Sequence, residues 1–274
     1  MIDRRLVQSA FHRQAGEYDT HAAVQKRVVA RLLEILAAEG AHPARILDVG
    51  AGTGRLARCL ADLHPASSLA CVDLAPAMAH ATRHSLADRG RTLVAVADAE
   101  ALPFAPESFD LVVSTSTFQW LTTLDTAFAE ARRVLAPGGL FVFALFGAGT
   151  FRELKESYRG ALSTAGREGE DRTQRFFTAQ EVGAALTRAG FGVTTLMLED
   201  EVEQHPDVPA FLRSVRRIGA GNASPRRSQG LAERRVMMEM MRIYEERFRG
   251  PAGVPATYTV VYGVGVTPPA ARST

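Results

Sequence analysis

Short apolar runs alternate with amphipathic segments between residues 44 and 146, and no other feature of the chain constrains the fold more. Glycine, proline or aspartate bounds each run, so each has the size and the borders of a strand. Strands that alternate with helices are typical of βαβ units and of a parallel sheet. The pattern predicts five strands in this part of the chain, at 45–49, 68–72, 93–97, 110–114 and 139–146.

The alternation weakens after the fifth predicted strand. Two further β-like runs, at 191–198 and 256–266, are separated by a stretch rich in proline and glycine. Within that stretch, apolar residues fall on one face of a predicted helix over 231–248. We therefore expect an α/β, Rossmann-like sheet that is mostly parallel, with an antiparallel last strand and helices on both faces. The expected domains are an N-terminal helical cover (1–40), a core (41–203 and 256–274) and a helical lid insertion (204–255).

Composition excludes several classes of protein. With 46% hydrophobic residues, 23% charged residues and a net charge of +2, the 274-residue chain is neither intrinsically disordered nor polyionic. Its longest apolar run, at 140–146, is far shorter than the roughly 20 residues that span a bilayer, and the N-terminus lacks an apolar signal-peptide segment. Cys59 and Cys71 lack metal-ligand spacing. We expect a cytoplasmic protein with no membrane partner and no metal.

A glycine-rich turn follows the first predicted strand. Gly50, Gly52 and Gly54 lie between that strand and a predicted helix. Glycine permits positive φ angles and a close backbone approach, and a helix N-terminus offers free amide donors, so a nucleotide-like ligand is expected here. The same segment also fits the relaxed dinucleotide fingerprint G-x-G-x-x-A. The turn alone therefore leaves a dinucleotide open.

Three aspartates lie at the ends of three successive predicted strands. Asp48 lies within the end of the first strand, where a carboxylate suits a cationic sulfonium rather than a pyrophosphate. Asp73 ends the second strand and is placed to accept hydrogen bonds from both ribose hydroxyls. Asp98 follows the third strand among apolar residues that could enclose an adenine ring. Ligands of open α/β sheets bind at the carboxyl ends of the strands, so we expect all three acids in one crevice.

The order of these motifs resembles class I S-adenosylmethionine-dependent methyltransferases. The matching segments are 47–54, Asp73, Asp98 with 102–104, 109–112 and 133–139. The resemblance implies a class I methyltransferase sheet, with S-adenosyl-L-methionine as cofactor and S-adenosyl-L-homocysteine as product. The expected cofactor-binding residues are Asp48, Gly50, Gly52, Gly54, Asp73, Leu74, Asp98, Ala99 and Ser114.

Outside the core, the chain is similar to the malonyl-acyl-carrier-protein O-methyltransferases of biotin synthesis. The likeness rests on Phe11, Ala15 and Tyr18 near the N-terminus, and on the segments 118–120, 151–154, 212–220 and 257–258. It implies a malonyl thioester on acyl-carrier protein as the partner, with malonyl-coenzyme A as an open alternative. Residues 114–120 also lack the Asn-Pro-Pro-aromatic motif typical of methyltransferases that act on base amino groups, so base methylation is disfavoured.

A malonyl carboxylate is ionised at neutral pH because such groups titrate near ~4, so no general base is needed. Arginine binds carboxylates bidentately, and one arginine from 213–217 is expected to hold this group. The expected catalytic residues are Tyr18, Gln119 and Arg216, and the expected substrate-binding residues are Trp120, Arg213, Arg217 and Tyr258.

Positive charge is concentrated in residues 211–249, which contain ten arginines and four glutamates. This segment could dock an acidic carrier protein, or it could simply be a solvated helix face. Two other functions stay open: a methyltransferase acting on a small-molecule acid, phenol or quinone, and a non-catalytic nucleic-acid-binding protein. The aromatic and basic interleaving of single-strand grooves is absent, so we expect no nucleic-acid partner.

Overall fold

The computed structural model describes residues 4–14, 16, 18–168, 173–217 and 231–269. In chain order, its strands are β1 Arg45–Val49, β2 Ser68–Asp73, β3 Thr92–Val96, β4 Phe109–Thr115, β5 Leu135–Phe146, β6 Gly192–His205 and β7 Val254–Val266. Within the described residues they form one seven-stranded sheet in the order β3-β2-β1-β4-β5-β7-β6. The first five strands are parallel, and β7 is antiparallel to both β5 and β6. The predicted fold class is confirmed.

Helices cover both faces of this sheet. They are α1 Arg4–Gln14, α2 Tyr18–His21, α3 Ala23–Ala38, α4 Arg55–Leu63, α5 Pro76–Ser85, α6 Asp125–Val134, α7 Arg152–Thr164, α8 Ala179–Arg188, α9 Val208–Arg217 and α10 Leu231–Phe248. Alternate residues of β1 face opposite sides: Ile46 packs in a cluster with α3 and α4, whereas Leu47 packs in a second cluster with α6 and α8. Both faces of a parallel sheet are buried, which explains the continuous apolar runs in the sequence.

Strand β5 begins earlier than the pattern predicts, at Leu135 rather than Gly139. Pro137, Gly138 and Gly139, residue types that are common in turns, are part of the strand, beside a register shift between β4 and β5. Gly138 has a φ of 75°, and the Gly139 N–H donates to Thr267 Oγ1 over 2.9 Å. The backbone of β5 is irregular in this segment, and the hydrogen bond to Thr267, directly after β7, holds it in place.

Strand β6 is longer than predicted and continues to His205. Its second half is largely charged, so it does not read as an apolar run. Helix α3 compensates this charge. Arg31 makes a bidentate contact with Glu199, at 2.7 Å from Nη2 to Oε1 and 3.1 Å from Nε to Oε2, and Arg27 lies 2.5 Å from Glu201. These ion pairs hold an edge strand that has a polar outer face.

Helices α9 and α10 lie between β6 and β7, within the span predicted as an insertion. The rings of Phe211 on α9 and Tyr244 on α10 contact each other and are fully buried against the sheet. The Tyr244 hydroxyl donates to the Pro255 carbonyl over 2.6 Å, which ties α10 to β7. Helix α10 also packs along α7, and α9 contacts the short helix α2. We refer to this pair of helices as the α9–α10 insertion.

Candidate active site

The glycine turn lies at the carboxyl end of β1, where the strand order reverses between β2 and β4. This is the position at which open α/β sheets bind ligands. Gly50 has a φ of 75° and donates its N–H to the Val72 carbonyl over 2.8 Å. A Cβ at Gly50 would lie closer than 3.0 Å to three side-chain atoms of Thr117. The absence of a side chain at Gly50 therefore lets the turn pack directly against the loop that follows β4.

Asp73 holds this turn in position. One carboxylate oxygen accepts the Gly52 N–H over 2.9 Å, and the other accepts the Ala75 N–H over 2.8 Å. Burial raises the pKa of Asp73, and these two hydrogen bonds oppose the shift. Each oxygen retains a further lone pair, so the carboxylate can still accept from ligand hydroxyls.

Asp48 lies behind the glycine turn and outside the lining of the adjacent cavity. Its side chain is buried, and it accepts the Ala57 N–H at the start of α4. Burial, reinforced by the negative charge of Asp73, raises the pKa of the Asp48 carboxyl to about 8. In the structure Asp48 thus contacts the first turn of α4, and its direct contact with a ligand remains a prediction.

A cavity of about 110 Å³ opens in front of the turn. Of the predicted cofactor residues, it brings together Gly50, Gly52, Asp73, Leu74, Asp98 and Ala99. Two of these are acidic, and none of the described residues that line the cavity is basic. A pyrophosphate would meet carboxylates without a compensating cation there, whereas a cationic nucleoside fits the charge. The cavity therefore disfavours the dinucleotide alternative.

Helix α1 covers one side of this cavity. Val7, Gln8 and Phe11 line it, and Gln8 Nε2 donates to the Leu74 carbonyl over 2.8 Å. The contact joins the N-terminal helix to the segment that follows β2. Helix α1 therefore completes the wall that would enclose a bound ligand.

A second, narrower cavity of about 20 Å³ adjoins the first. Four residues line both cavities: Phe11, Tyr18, Ser116 and Trp120. Aromatic rings and neutral polar side chains form the rest of its wall, and no described residue that lines it is charged. The two cavities meet at the loop after β4, which suits the transfer of a group from one ligand to another.

Gln119, predicted as catalytic, and Tyr258, predicted as substrate-binding, also line the narrow cavity. Gln119 Nε2 donates to the Ser116 carbonyl over 2.7 Å, so its amide supports the loop. The Tyr258 ring packs 4.8 Å from the Phe151 ring, measured between centroids, while its hydroxyl is hydrogen-bonded to Glu203. Burial raises the pKa of Tyr258, so the phenol stays neutral.

Other predicted site residues line neither cavity. Arg213, Arg216 and Arg217 are exposed on α9, and Gly54 directly precedes α4. The Ser114 hydroxyl is buried and donates to the Val49 carbonyl over 2.7 Å, which joins β4 to β1. Residues 218–220 of the family-like segment, and Ala15, lie outside the described residues. Across the described part of the chain, no three His, Cys, Asp or Glu residues group as metal ligands.

Sequence reasoning did not single out Ser116 or Gln8 as site residues, and Phe11 entered only as part of a family-like segment. Ser116 has a φ of 54°, a backbone conformation that no sequence pattern reports for serine. Phe11 contacts Trp120 edge-on, with ring centroids 5.5 Å apart. These residues reach the site through loops and a distant helix, so only their tertiary placement reveals them.

Comparison with known proteins agrees with this geometry. Residues 47–143 match a family described as a methyltransferase domain. The malonyl-[acyl-carrier protein] O-methyltransferase of Geobacter sulfurreducens is 67% identical over 265 residues, which is 97% of this chain and 99% of that protein. The chain belongs to the malonyl-[acyl-carrier protein] O-methyltransferase family. The equally named protein of Halorhodospira halophila is 38% identical over 278 residues, covering 100% of this chain and 92% of the relative.

Solved structures share the fold of this methyltransferase. A methyltransferase from Bacillus halodurans has a TM-score of 0.62 at 17% identity, covering 88% of this chain and 98% of its own. Phosphoethanolamine N-methyltransferase 2 of Haemonchus contortus, solved in complex with S-adenosyl-L-methionine, has a TM-score of 0.53 at 24% identity, covering 87% of this chain and 52% of that one. Among the described helices of our chain, none has the length and apolar character required to cross a membrane.

Proposed function

We propose that this methyltransferase transfers the methyl group of S-adenosyl-L-methionine to the free carboxylate of a malonyl thioester on acyl-carrier protein. The observation that carries the proposal is the 67% identity to the Geobacter sulfurreducens enzyme over 97% of this chain. That identity extends well beyond the general methyltransferase domain at 47–143 and includes the N-terminal helices and the α9–α10 insertion. Of these parts, the N-terminal helices contribute Phe11, Tyr18 and Gln25 to the lining of the narrow cavity.

The residues of the wide cavity fit the methyl donor. Asp73 and Asp98 provide carboxylates for the ribose hydroxyls and the adenine amine, and Leu74 and Ala99 provide apolar contacts. Two acids and no described basic residue line the cavity, which suits a ligand with a sulfonium charge. When bound, S-adenosyl-L-methionine supplies an electrophilic methyl group.

The acceptor needs no activation because its carboxylate is already ionised at neutral pH. In the transfer, a carboxylate oxygen forms a bond to the methyl carbon as the carbon–sulfur bond breaks, and the sulfur keeps the electron pair. The products are a methyl ester and neutral S-adenosyl-L-homocysteine, and no proton moves. The protein must therefore align the two reacting atoms and exclude water, tasks that the aromatic walls contributed by Phe11, Trp120 and Tyr258 suit.

This chemistry masks the charged end of the acceptor. A fatty-acid elongation enzyme that expects an apolar chain could then extend it, and the resemblance described above implies biotin synthesis as the purpose. We place the reaction in the cytosol. Both Cys59 and Cys71 are unpaired, which suits a reducing compartment.

The exposed face of α9 is suited to docking the carrier protein. Arg213, Arg216 and Arg217 are exposed there. Among the described residues, no carboxylate forms an ion pair with any of them. Helix α9 contacts α2, which contributes Tyr18 to both cavities. An acidic carrier bound at this face would hold its thioester arm close to the narrow cavity, and opposite charge would speed the encounter.

An acceptor panel tests the proposed activity. Rates of methyl transfer are measured with malonyl carrier protein, malonyl-coenzyme A, free malonate and acetyl carrier protein, at equal concentrations. We expect the highest kcat/KM with malonyl carrier protein and no ester with acetyl carrier protein. A preference for free malonate or for another small acid would favour the small-molecule alternative, and an inactive protein that binds RNA or DNA would overturn the proposal.

A salt series tests carrier docking separately. For wild-type protein, kcat/KM with malonyl carrier should fall as ionic strength rises, because salt screens exposed charges. The Arg216→Glu variant should show a lower kcat/KM and a flatter salt dependence. Arg132→Glu, on α6 at the other face of the sheet, is the matched control and should retain the wild-type profile. A salt-independent wild-type rate would contradict docking through α9.

A further inference from the structure

We propose that Ser116 and Trp120 hold the acceptor carboxylate through neutral hydrogen-bond donors at the junction of the two cavities. The inference rests on the proposed function and names the residues that recognise the carboxylate. It differs from the arginine clamp that sequence reasoning predicts. Both residues line both cavities, whereas Arg213, Arg216 and Arg217 line neither.

The backbone of Ser116 is fixed in an uncommon conformation. Its φ is 54°, in the left-handed region that serine rarely adopts. On one side its N–H donates to the Ala144 carbonyl of β5 over 2.9 Å, and on the other its carbonyl accepts Gln119 Nε2 over 2.7 Å. Strained backbone held by its surroundings is typical of functional sites. Gln119 is thus a positioning residue that acts through Ser116.

The hydroxyl of Ser116 and the indole N–H of Trp120 share a second property. Each of these polar atoms is buried and has no hydrogen-bond partner among the described residues. Phe11 packs edge-on against the Trp120 ring, at 5.5 Å between centroids, and limits its movement. Buried donors without partners destabilise a folded protein, so two of them at one junction indicate that a ligand supplies the acceptor.

A carboxylate matches this pair of donors. An ionised carboxylate only accepts hydrogen bonds, and its two oxygens can accept from an O–H and an N–H together. Negative charge on the reacting oxygen declines as the ester forms, so a strong cationic partner would stabilise the ground state more than the transition state. Neutral donors orient the carboxylate without this penalty, and the sulfonium of the methyl donor is the cation that faces it.

The test compares binding of two carrier-bound acyl groups in the presence of S-adenosyl-L-homocysteine, which prevents reaction. Malonyl and acetyl carrier protein differ in the carboxylate, so the ratio of their Kd values isolates its recognition. Trp120→Phe keeps a ring beside Phe11 and removes the N–H, and Ser116→Ala removes the hydroxyl. Losing a hydrogen bond to a charged group should weaken malonyl-carrier binding by about ten- to a hundredfold, with acetyl-carrier binding unchanged.

Two further variants keep the result interpretable. Ser157→Ala removes another buried hydroxyl on α7, which has no hydrogen-bond partner among the described residues and lines neither cavity, and this variant should keep the wild-type Kd ratio. Ser116→Gly tolerates the positive φ and removes the hydroxyl, so it replaces Ser116→Ala if that protein does not fold.

The outcomes separate this inference from the proposed function. If the wild-type protein methylates malonyl carrier while Trp120→Phe and both Ser116 variants keep its Kd ratio, the neutral-donor site is wrong and the proposed function stands. A variant that weakens malonyl and acetyl carrier binding equally would show a merely structural role and also overturn the inference. If the wild type transfers no methyl group to malonyl carrier, both proposals fail.

Discussion

Gly50 connects the glycine turn to the loop that carries Ser116 and Trp120, and replacing it with alanine tests that connection. The new Cβ would clash with the Thr117 side chain, with three contacts shorter than 3.0 Å. Thr117 cannot easily retreat because its hydroxyl donates to the Thr115 carbonyl over 3.1 Å. The substitution should therefore disturb both sides of the junction between the cavities.

Two effects contribute to the loss of folding stability that we expect for Gly50→Ala. A side chain in the left-handed region costs about 1–2 kcal/mol of stability, and Gly50 has a φ of 75°. Overpacking against Thr117 adds roughly 1–3 kcal/mol. Gly52 is the matched control because its φ is 60° but an added Cβ would meet nothing within 4 Å. Gly52→Ala should therefore show the backbone cost alone.

Urea denaturation of the ligand-free variants measures the difference. We expect Gly50→Ala to lower the free energy of unfolding by about 1–3 kcal/mol more than Gly52→Ala does. The Thr117→Gly substitution removes the clashing atoms, so the double variant with Gly50→Ala should recover most of that excess. Equal destabilisation at Gly50 and Gly52, or no recovery in the double variant, would refute the argument that close packing requires glycine at Gly50.

Three further predictions concern single side chains. The pKa of Asp48 is about 8 in the folded protein against 3.8 ordinarily, so the unfolded state releases its proton first as pH rises. Between these values the group lowers stability with rising pH, and Asp48→Asn should remove that decline in urea titrations at pH 5 and 8. Asp73→Ala removes the acceptor for the Gly52 N–H, and calorimetry should show methyl-donor affinity reduced about tenfold or more. Tyr244→Phe leaves the Pro255 carbonyl unpaired and should cost about 1–2 kcal/mol in thermal unfolding without changing kcat.

Local patterns determined much of the fold in advance. Strands β1, β2 and β4 were found to within a residue at each end because both faces of a parallel sheet are buried, which leaves an apolar run in the sequence. The sequence pattern did not predict the second half of β6 as a strand, because that half is largely charged. Its charged side chains pair with Arg27 and Arg31 of α3, more than a hundred residues earlier in the chain. Such compensation between distant segments leaves no local signal.

The residues of the candidate site likewise include some that local sequence patterns predict and some that depend on contacts between distant segments. Asp73 and Asp98 could be predicted because strand ends converge on one edge of the sheet. Arg216 was predicted from its chemistry, but α9 buries Phe211 and Val215 and thereby directs the arginines outward. Ser116 could not be found because its conformation depends on contacts with β5 and Gln119, which only the folded chain provides.

Product analysis with a deuterium-labelled methyl donor identifies the atom that receives the methyl group. Wild-type protein would be incubated with malonyl carrier protein, and the modified acyl group would be fragmented by tandem mass spectrometry. We expect one labelled methyl group per malonyl unit, located on the terminal carboxylate as an ester. A label on the malonyl carbon, on the carrier polypeptide, or nowhere would contradict it.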